Sequence, residues 1–337
     1  MTMNPFSRRN FIKSSAFGML GAGLISTDSL SGSFKQKGKG KIGIIGLDTS
    51  HSPAFAKYIN SKENSFQVTT AYTDVSKDIP ASFNRVEKFK TQIKDMGINI
   101  VGSIEELLES VDFVLLETVD GRRHLEQAKK VFKSGKRVFI DKPVAGSLRD
   151  AVAIFNLAKK HNIPTFSSSG TRFMSEVQAV RNGKIGEVMG ADSYGPLKLE
   201  PTHPDLFWYG IHGVEILFTV MRTGCQRVRR IVTEHYDQVT GDWGDGRIGA
   251  FRGIKKGKQA YGGQAFGSEG VSYLGGWESY DAMIDVILHY FTTGEVPVNP
   301  DETLEIYAFM DAAHESFRQN GAWISLESVL EKAQQYK

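Results

Sequence analysis

Arg137-Val138-Phe139-Ile140-Asp141-Lys142-Pro143-Val144 decides how the chain folds, because a β-run ends there on an ammonium followed by proline. Ligands of open α/β sheets sit beyond the carboxyl ends of the strands, so Lys142 is placed at the mouth of a crevice. Pro143 cannot extend the hydrogen-bond ladder and biases Lys142 toward extended backbone. A lysine held this way can bind a hydroxyl or shuttle its proton. The plainer reading is an exposed lysine at a strand end.

On both sides of this stretch, short apolar runs alternate with amphipathic segments. Strands are expected at Ile42 to Ile45, Val68 to Tyr72, Val111 to Leu116, Val138 to Ile140 and Thr165 to Phe166. Helices are expected near Ala54 to Asn60, Ile104 to Leu108, Leu125 to Ser134 and Leu148 to His161. This alternation specifies an α/β fold with a doubly wound, Rossmann-like parallel sheet. Beyond Arg172 the texture changes: an apolar helix at Ile211 to Met221 is followed by twelve glycines between Gly241 and Gly276, among alternating segments such as Arg247 to Ile254. That pattern predicts a second α/β domain with an open, mainly antiparallel sheet. Helices near Ser279 to Phe291 and Asp301 to Asn320 close the chain.

The 337 residues open with Ser7-Arg8-Arg9-Asn10-Phe11-Ile12-Lys13 and an apolar stretch from Ala16 to Ile25, a pattern that reads as a twin-arginine export signal. The stretch is short and glycine-rich, so it is not expected to anchor the chain in a membrane. The expected organisation is a signal at 1–33, a basic linker at 34–40, a dinucleotide-binding domain at 41–165 and a substrate-binding and oligomerisation domain at 166–337. These features point to the twin-arginine machinery as a partner and to a periplasmic location. Residues 1–33 carry Arg8, Arg9 and Lys13 against Asp28, so without them the net charge falls from +3 to about +1, which argues against nucleic acid as a partner. The single Cys225 cannot form an internal disulfide, so stability must come from the core.

The first strand runs into Gly46-Leu47-Asp48-Thr49-Ser50-His51-Ser52-Pro53, where a dinucleotide-binding turn would stand. Of its three glycines only Gly46 is present; Asp48 and His51 occupy the other two positions. A carboxylate about 4 Å from a phosphate opposes binding by roughly 4 kcal/mol at an effective dielectric near 20, so Asp48 must point away or the phosphates lie elsewhere. Ser52-Pro53 reads as an N-cap and first helical residue, which would start the helix late and leave Thr49, Ser50 and His51 to donate to phosphate. Alternatively these residues only cap and turn. Asp74, after the second strand, is placed to accept from a ribose 2′-hydroxyl, favouring NAD over NADP.

With these residues assembled, the chain resembles the glucose-fructose oxidoreductase / inositol dehydrogenase / rhizopine catabolism family (Gfo/Idh/MocA) over nearly all of residues 41 to 325. The resemblance implies a Rossmann domain beside an open-sheet α/β domain, NAD as cofactor and a carbohydrate substrate. Asp141-Lys142-Pro143 looks like the family's Glu-Lys-Pro, whose lysine is implied to contact substrate and cofactor. Thr118-Val119-Asp120-Gly121-Arg122-Arg123-His124 corresponds loosely to its Thr-Pro-Asn-x-x-His, which implies that Thr118 and His124 lie beside the cofactor. Arg172-Phe173 matches the Arg-Phe that opens the second domain. Trp208-Tyr209-Gly210-Ile211-His212-Gly213-Val214-Glu215 matches the catalytic-histidine motif, with Trp208 in place of an aspartate, and implies His212 as acid/base.

Other candidates rest on side-chain chemistry. His203, Trp208, Tyr209, Trp243, Arg172 and Arg247 offer aromatic faces and planar donors of the kind that sugar rings and acidic sugars need. The spacing of His203, His212 and Glu215 matches no zinc helix motif, and no metal is expected. Together these features predict an exported NAD-dependent oxidoreductase acting on a sugar, with Lys142 and His212 handling the hydroxyl proton. Two readings stay beside it. One is an NAD-recycling glycosidase, epimerase or lyase; the other is a sugar-binding protein that has lost its nucleotide.

Overall fold

The computed structural model describes residues 40–63 and 65–335, so the expected export signal and the lysine-rich linker before Gly40 lie outside the described residues. Six parallel strands form the first sheet: β1 (Gly40–Ile45), β2 (Phe66–Tyr72), β3 (Asn99–Val101), β4 (Phe113–Leu116), β5 (Arg137–Asp141) and β6 (Thr165–Ser168). Their order is β3-β2-β1-β4-β5-β6, which places the topological switch, and hence the ligand crevice, between the carboxyl ends of β1 and β4. Ile42, Ile44 and Ile45 of β1 are fully buried, as expected for a strand covered on both faces.

Helices α1 (His51–Ser61), α2 (Pro80–Phe83), α3 (Val86–Asp95), α4 (Ile104–Ser110), α5 (Gly121–Lys133) and α6 (Leu148–Lys160) link the strands. Their starts are written in the sequence: Ser103, Asp120 and Ser147 each accept a backbone N–H of the first turn. Helix α1 departs from expectation. It begins at His51, because the Ser52 hydroxyl donates to the Gly46 carbonyl 2.8 Å away and does not cap. Pro53 then lies in the first turn, where no intrahelical N–H bond is required. The short strand β3 and helices α2 and α3 were not anticipated.

After a 3₁₀ turn at Gly170–Phe173, helix α7 (Ser175–Arg181) leads into the second sheet. Its strands are β7 (Val188–Pro196), β8 (Arg227–Val232), β9 (Tyr236–Asp242), β10 (Ile248–Ile254), β11 (Gly262–Gly267), β12 (Val271–Tyr273) and β13 (Ile324–Ser325). The order β12-β11-β7-β10-β9-β8-β13 is antiparallel except for the parallel β7–β10 pair. Helix α8 (Ile211–Met221) packs across it, with Gly213 brought so close to Phe251 that a Cβ would lie 2.2 Å from the ring. The chain then returns to the first sheet. Helix α9 (Asp281–Thr293) sets Phe291 against Phe113 and Tyr290 against Phe166, with ring centroids 4.9 and 5.1 Å apart. Helices α10 (Pro300–Arg318) and α11 (Leu326–Gln335) follow. The Tyr307 hydroxyl of α10 accepts the Val144 N–H at 2.6 Å, tying α10 to the loop that follows Lys142.

Candidate active site

The carboxyl ends of β1, β4 and β5 form one wall of a cavity of about 350 Å³, a size suited to a small polar ligand. Thr49, Ser50, His51, Val119 and Lys142 line this wall, and Trp208, Tyr209, His212 and Tyr261 face them from the second domain. The sequence-predicted Lys142 and His212 therefore meet in one site, although they are far apart in the chain.

On the first wall the turn after β1 is held from inside. Gly46 has φ +97°, and a Cβ there would come within 2.3 Å of the Thr118 backbone nitrogen. Asp48 turns inward, away from the cavity: its carboxylate accepts the Val119 N–H at 3.0 Å and the Ser82 hydroxyl at 2.6 Å. Burial pushes the Asp48 carboxyl up to about 6 despite these two bonds. Ser76 donates to Asp120, and Ile79 packs with Val119 and Trp208. Residues 76–82 thus bridge the turns that follow β1 and β4.

Asp141 precedes the catalytic candidate Lys142, whose bond to Pro143 is cis. The Asp141 carboxylate lies 2.6 Å from His51 Nδ1, and both side chains are almost entirely buried, at 2% and 7% exposure. Burial would raise the Asp141 carboxyl, but His51 and Lys142 hold it below the usual range. Phe55 stacks on the His51 ring at 5.4 Å, while Tyr280 meets it edge-on at 4.7 Å. Beneath them Glu117, fully buried at the end of β4, is driven well above the usual carboxylate range by burial and by Asp141. One buried carboxyl is thus ionised and its neighbour neutral.

The opposite wall starts at a π-turn, Leu206–Gly210, that runs into α8 and presents Tyr209 and His212 on adjacent turns. His212 Nδ1 lies 2.7 Å from the Ser169 hydroxyl, which also meets Thr171 at 2.8 Å. Burial, then Lys142 and His51, depress the His212 imidazole well below its ordinary value, so it is neutral near pH 7. The rings of Tyr209 and Tyr261 stand edge-on to His212 at 5.7 and 5.5 Å. Trp208, in the place of an aspartate, fills space against Ile79 and Val119 rather than supplying a charge.

Several expected residues lie elsewhere. Arg172 is buried in ion pairs with Glu215 at 2.6 Å and Glu302 at 2.7 Å, joining the 3₁₀ turn to α8 and α10. Trp243 is a core side chain whose Nε1 donates to the Arg222 carbonyl at 3.1 Å. Arg247 pairs with Asp245 and lines a separate groove beside Arg222. His203, its ring tilted 48° against that of Trp208, sits 3.4 Å from Asp120 just behind the cavity wall. His124 is fully buried between the Thr118 and Val144 carbonyls at 2.7 and 3.3 Å, so it braces the wall without lining it. The Thr118 hydroxyl accepts from the Gln127 Nε2 at 2.9 Å. Asp74 is engaged by Gln127 at 2.7 Å and by Arg123 at 2.5 Å. Arg85, Lys198, Trp277 and Tyr280 line the cavity and were not singled out, because exposed-looking cations and scattered aromatics carry no sequence signature.

A dinucleotide fits the nicotinamide end of this crevice. Thr49, Ser50 and the amino end of α1 face the cavity beside Lys142. Asp74, just past β2 where an adenosine ribose would be read, lies outside this cavity and is engaged by Gln127 and Arg123. At the adenosine end, the bridge through Asp48 and Ser82 occupies the Val119 amide and must be accommodated or displaced. Among the described residues no group of three or more His, Cys, Asp or Glu is placed to hold a metal, and no helix is long and apolar enough to cross a membrane.

Residues 16–167 match the family model GFO_IDH_MocA, described as an oxidoreductase family with an NAD-binding Rossmann fold. An uncharacterized oxidoreductase of Escherichia coli (strain K12), YhhX, is 28% identical over 102 residues, which are 29% of this chain and 30% of the relative. The match thus spans less than a third of that relative's length. A probable dehydrogenase from Thermotoga maritima superposes with TM-score 0.69 at 19% identity, covering 86% of this chain and 99% of that one. Scyllo-inositol dehydrogenase from Lactobacillus casei, solved with NAD(H) and scyllo-inositol, superposes with TM-score 0.71 at 14% identity over 86% of this chain and 99% of that one. At these identities the two structures share the fold.

Proposed function

We propose that this chain, whose residues 16–167 match the GFO_IDH_MocA oxidoreductase family with its NAD-binding Rossmann fold, oxidises or reduces a secondary alcohol of a sugar, cyclitol or related polyol. The observation that carries the reading is the meeting of Lys142 and His212 across one cavity walled by aromatic rings. Aromatic faces favour the C–H surfaces of a polyol ring, and the two polar groups orient its hydroxyl. Thr49, Ser50, Asp74 and Lys142 would hold NAD, which supplies the hydride acceptor when bound. Lys142 donates a hydrogen bond to the substrate oxygen and stabilises negative charge there. His212, neutral near pH 7, takes a hydrogen bond from the same hydroxyl or returns one. Tyr209, Tyr261 and Trp208 keep bulk water from the reacting carbon.

The twin-arginine pattern at Ser7 to Lys13 supports export to the periplasm. Export with a cofactor suits a folded cargo, and scarcity of free NAD outside the cytoplasm suits a cofactor retained and recycled within turnover. Recycling would make a glycosidase, epimerase or lyase a relative of the same chemistry. Met189, Ile231, Tyr236, Ile248, Val271 and Tyr273 stand exposed on the second sheet, which supports a homo-oligomer. The bridge through Asp48 favours a second reading, a sugar-binding protein that has given up its nucleotide.

A panel of hexoses, uronates and inositols with NAD+ or NADP+, followed by absorbance of the reduced nicotinamide, tests the proposal. Turnover of at least one polyol with NAD+ is expected. Saturable sugar binding with no reduced nicotinamide from any member would favour the second reading.

A further inference from the structure

The geometry points to His51, oriented by Asp141, as the base that takes the substrate hydroxyl proton on the Rossmann side of the cavity. The inference rests on the redox reading of this cavity and adds a residue to it. His51 stands where a dinucleotide turn has its last glycine, a position that packs helix against strand and needs no side chain. Here the imidazole is built in and fixed from four sides. Asp141 holds Nδ1 at 2.6 Å, Phe55 and Tyr280 fix the ring plane, and the start of α1 fixes the backbone.

A carboxylate on Nδ1 selects the tautomer that carries its proton there, leaving the Nε2 lone pair as an acceptor. Among the described residues no group hydrogen-bonds Nε2, and the residue lines the cavity next to Lys142. The alternative is a latch that only ties α1 to the end of β5. A latch needs the Nδ1 bond alone and gains nothing from a free acceptor in a polar cavity.

The comparison with His212 separates the two imidazoles. His212 bonds a hydroxyl through Nδ1 and has no carboxylate to stabilise an imidazolium, whereas His51 has Asp141. In the forward direction the hydroxyl O–H bond breaks and its proton moves to His51 Nε2, while NAD+, when bound, would accept the C–H electron pair as hydride. Lys142 holds the oxygen and His212 completes its hydrogen bonds.

The test uses the full chain with ¹⁵N-labelled histidine and needs no substrate in its first arm. The His51 signals should report Nδ1–H with unprotonated Nε2 at pH 7.5, and diethyl pyrocarbonate should acylate His51 at Nε2, mapped by mass spectrometry. Asp141→Asn should abolish the tautomer preference. In a second arm, His51→Gln should lower kcat by about 10² to 10⁴ with NAD affinity changed less than threefold, and should remove the acid limb of the pH profile. An Nε2–H tautomer, an unreactive His51, or an unaltered pH profile in a folded His51→Gln protein would overturn the assignment. If no polyol is oxidised by the wild-type chain, the redox reading fails while the first arm still decides the tautomer.

Discussion

The two ends of the strand-end crevice are built on opposite principles. At the nicotinamide end, polar groups converge on open space: Lys142, His51 and His212 face a cavity, each held from behind by a buried partner or a rigid strand end. At the adenosine end, polar groups converge on one another: Asp48 with Ser82 and the Val119 amide, Ser76 with Asp120, Asp74 with Gln127 and Arg123. The first end is preorganised to meet a ligand, the second to satisfy itself. A crevice can therefore keep its reacting end open while the turn after β1 is closed by side chains.

Removing the ammonium at the open end should give the largest effect. Lys142→Ala is expected to reduce turnover by about 10² to 10⁴ while NAD content, read by mass spectrometry of the denatured protein, stays near that of the wild type. Unchanged turnover would dissolve the contrast. Arg172→Leu should be about as severe for stability but through another route. It leaves Glu215 buried without a cation and Glu302 with only Arg181, 3.4 Å away, which costs about 3–5 kcal/mol in chemical denaturation.

Asp48→Asn probes the closed end. The Asp48 carboxyl is raised to about 6, above its ordinary 3.8, so the folded state binds the proton more tightly than the unfolded one. Its contribution to stability is fully present below pH 3.8 and is lost as pH rises through about 6. Asparagine removes the charge and keeps the Val119 bond through its Oδ1, while its Nδ2 can only donate to the Ser82 hydroxyl, reversing that bond. The variant should lose that pH dependence and gain on the order of 2 kcal/mol at pH 7.5, with tighter NAD binding because a negative charge has left the phosphate path. The smallest effect is expected at Arg247→Ala, within about 1 kcal/mol of wild type and without change in turnover, because Arg247 pairs with a half-exposed Asp245 away from the cavity.

The Rossmann half was legible because each strand is a short apolar run and each helix start carries its own cap, so local chemistry and fold agree. Lys142 and His212 were legible by motif. The pairing of His51 with Asp141 was not, since it joins residues 90 positions apart whose meeting depends on the order of the strands. Arg172 and Trp243 show the reverse failure. Their residue types suit a binding site, but two carboxylates and a core claimed them. The glycines near Trp243, read as turn residues, make room for its ring: a Cβ on Gly241 or Gly249 would lie 2.9 Å from the indole. Sequence spacing cannot distinguish a glycine that turns from one that makes room.

The central claim is that the open end is a nicotinamide site on a rebuilt phosphate loop. Denaturing the purified chain and identifying released dinucleotide, then titrating NAD+ and NADP+ into the stripped protein, tests it most directly. The account expects one dinucleotide per chain, NAD preferred, with binding strengthened by Asp48→Asn. No dinucleotide released and no saturable binding to either wild type or Asp48→Asn would contradict it.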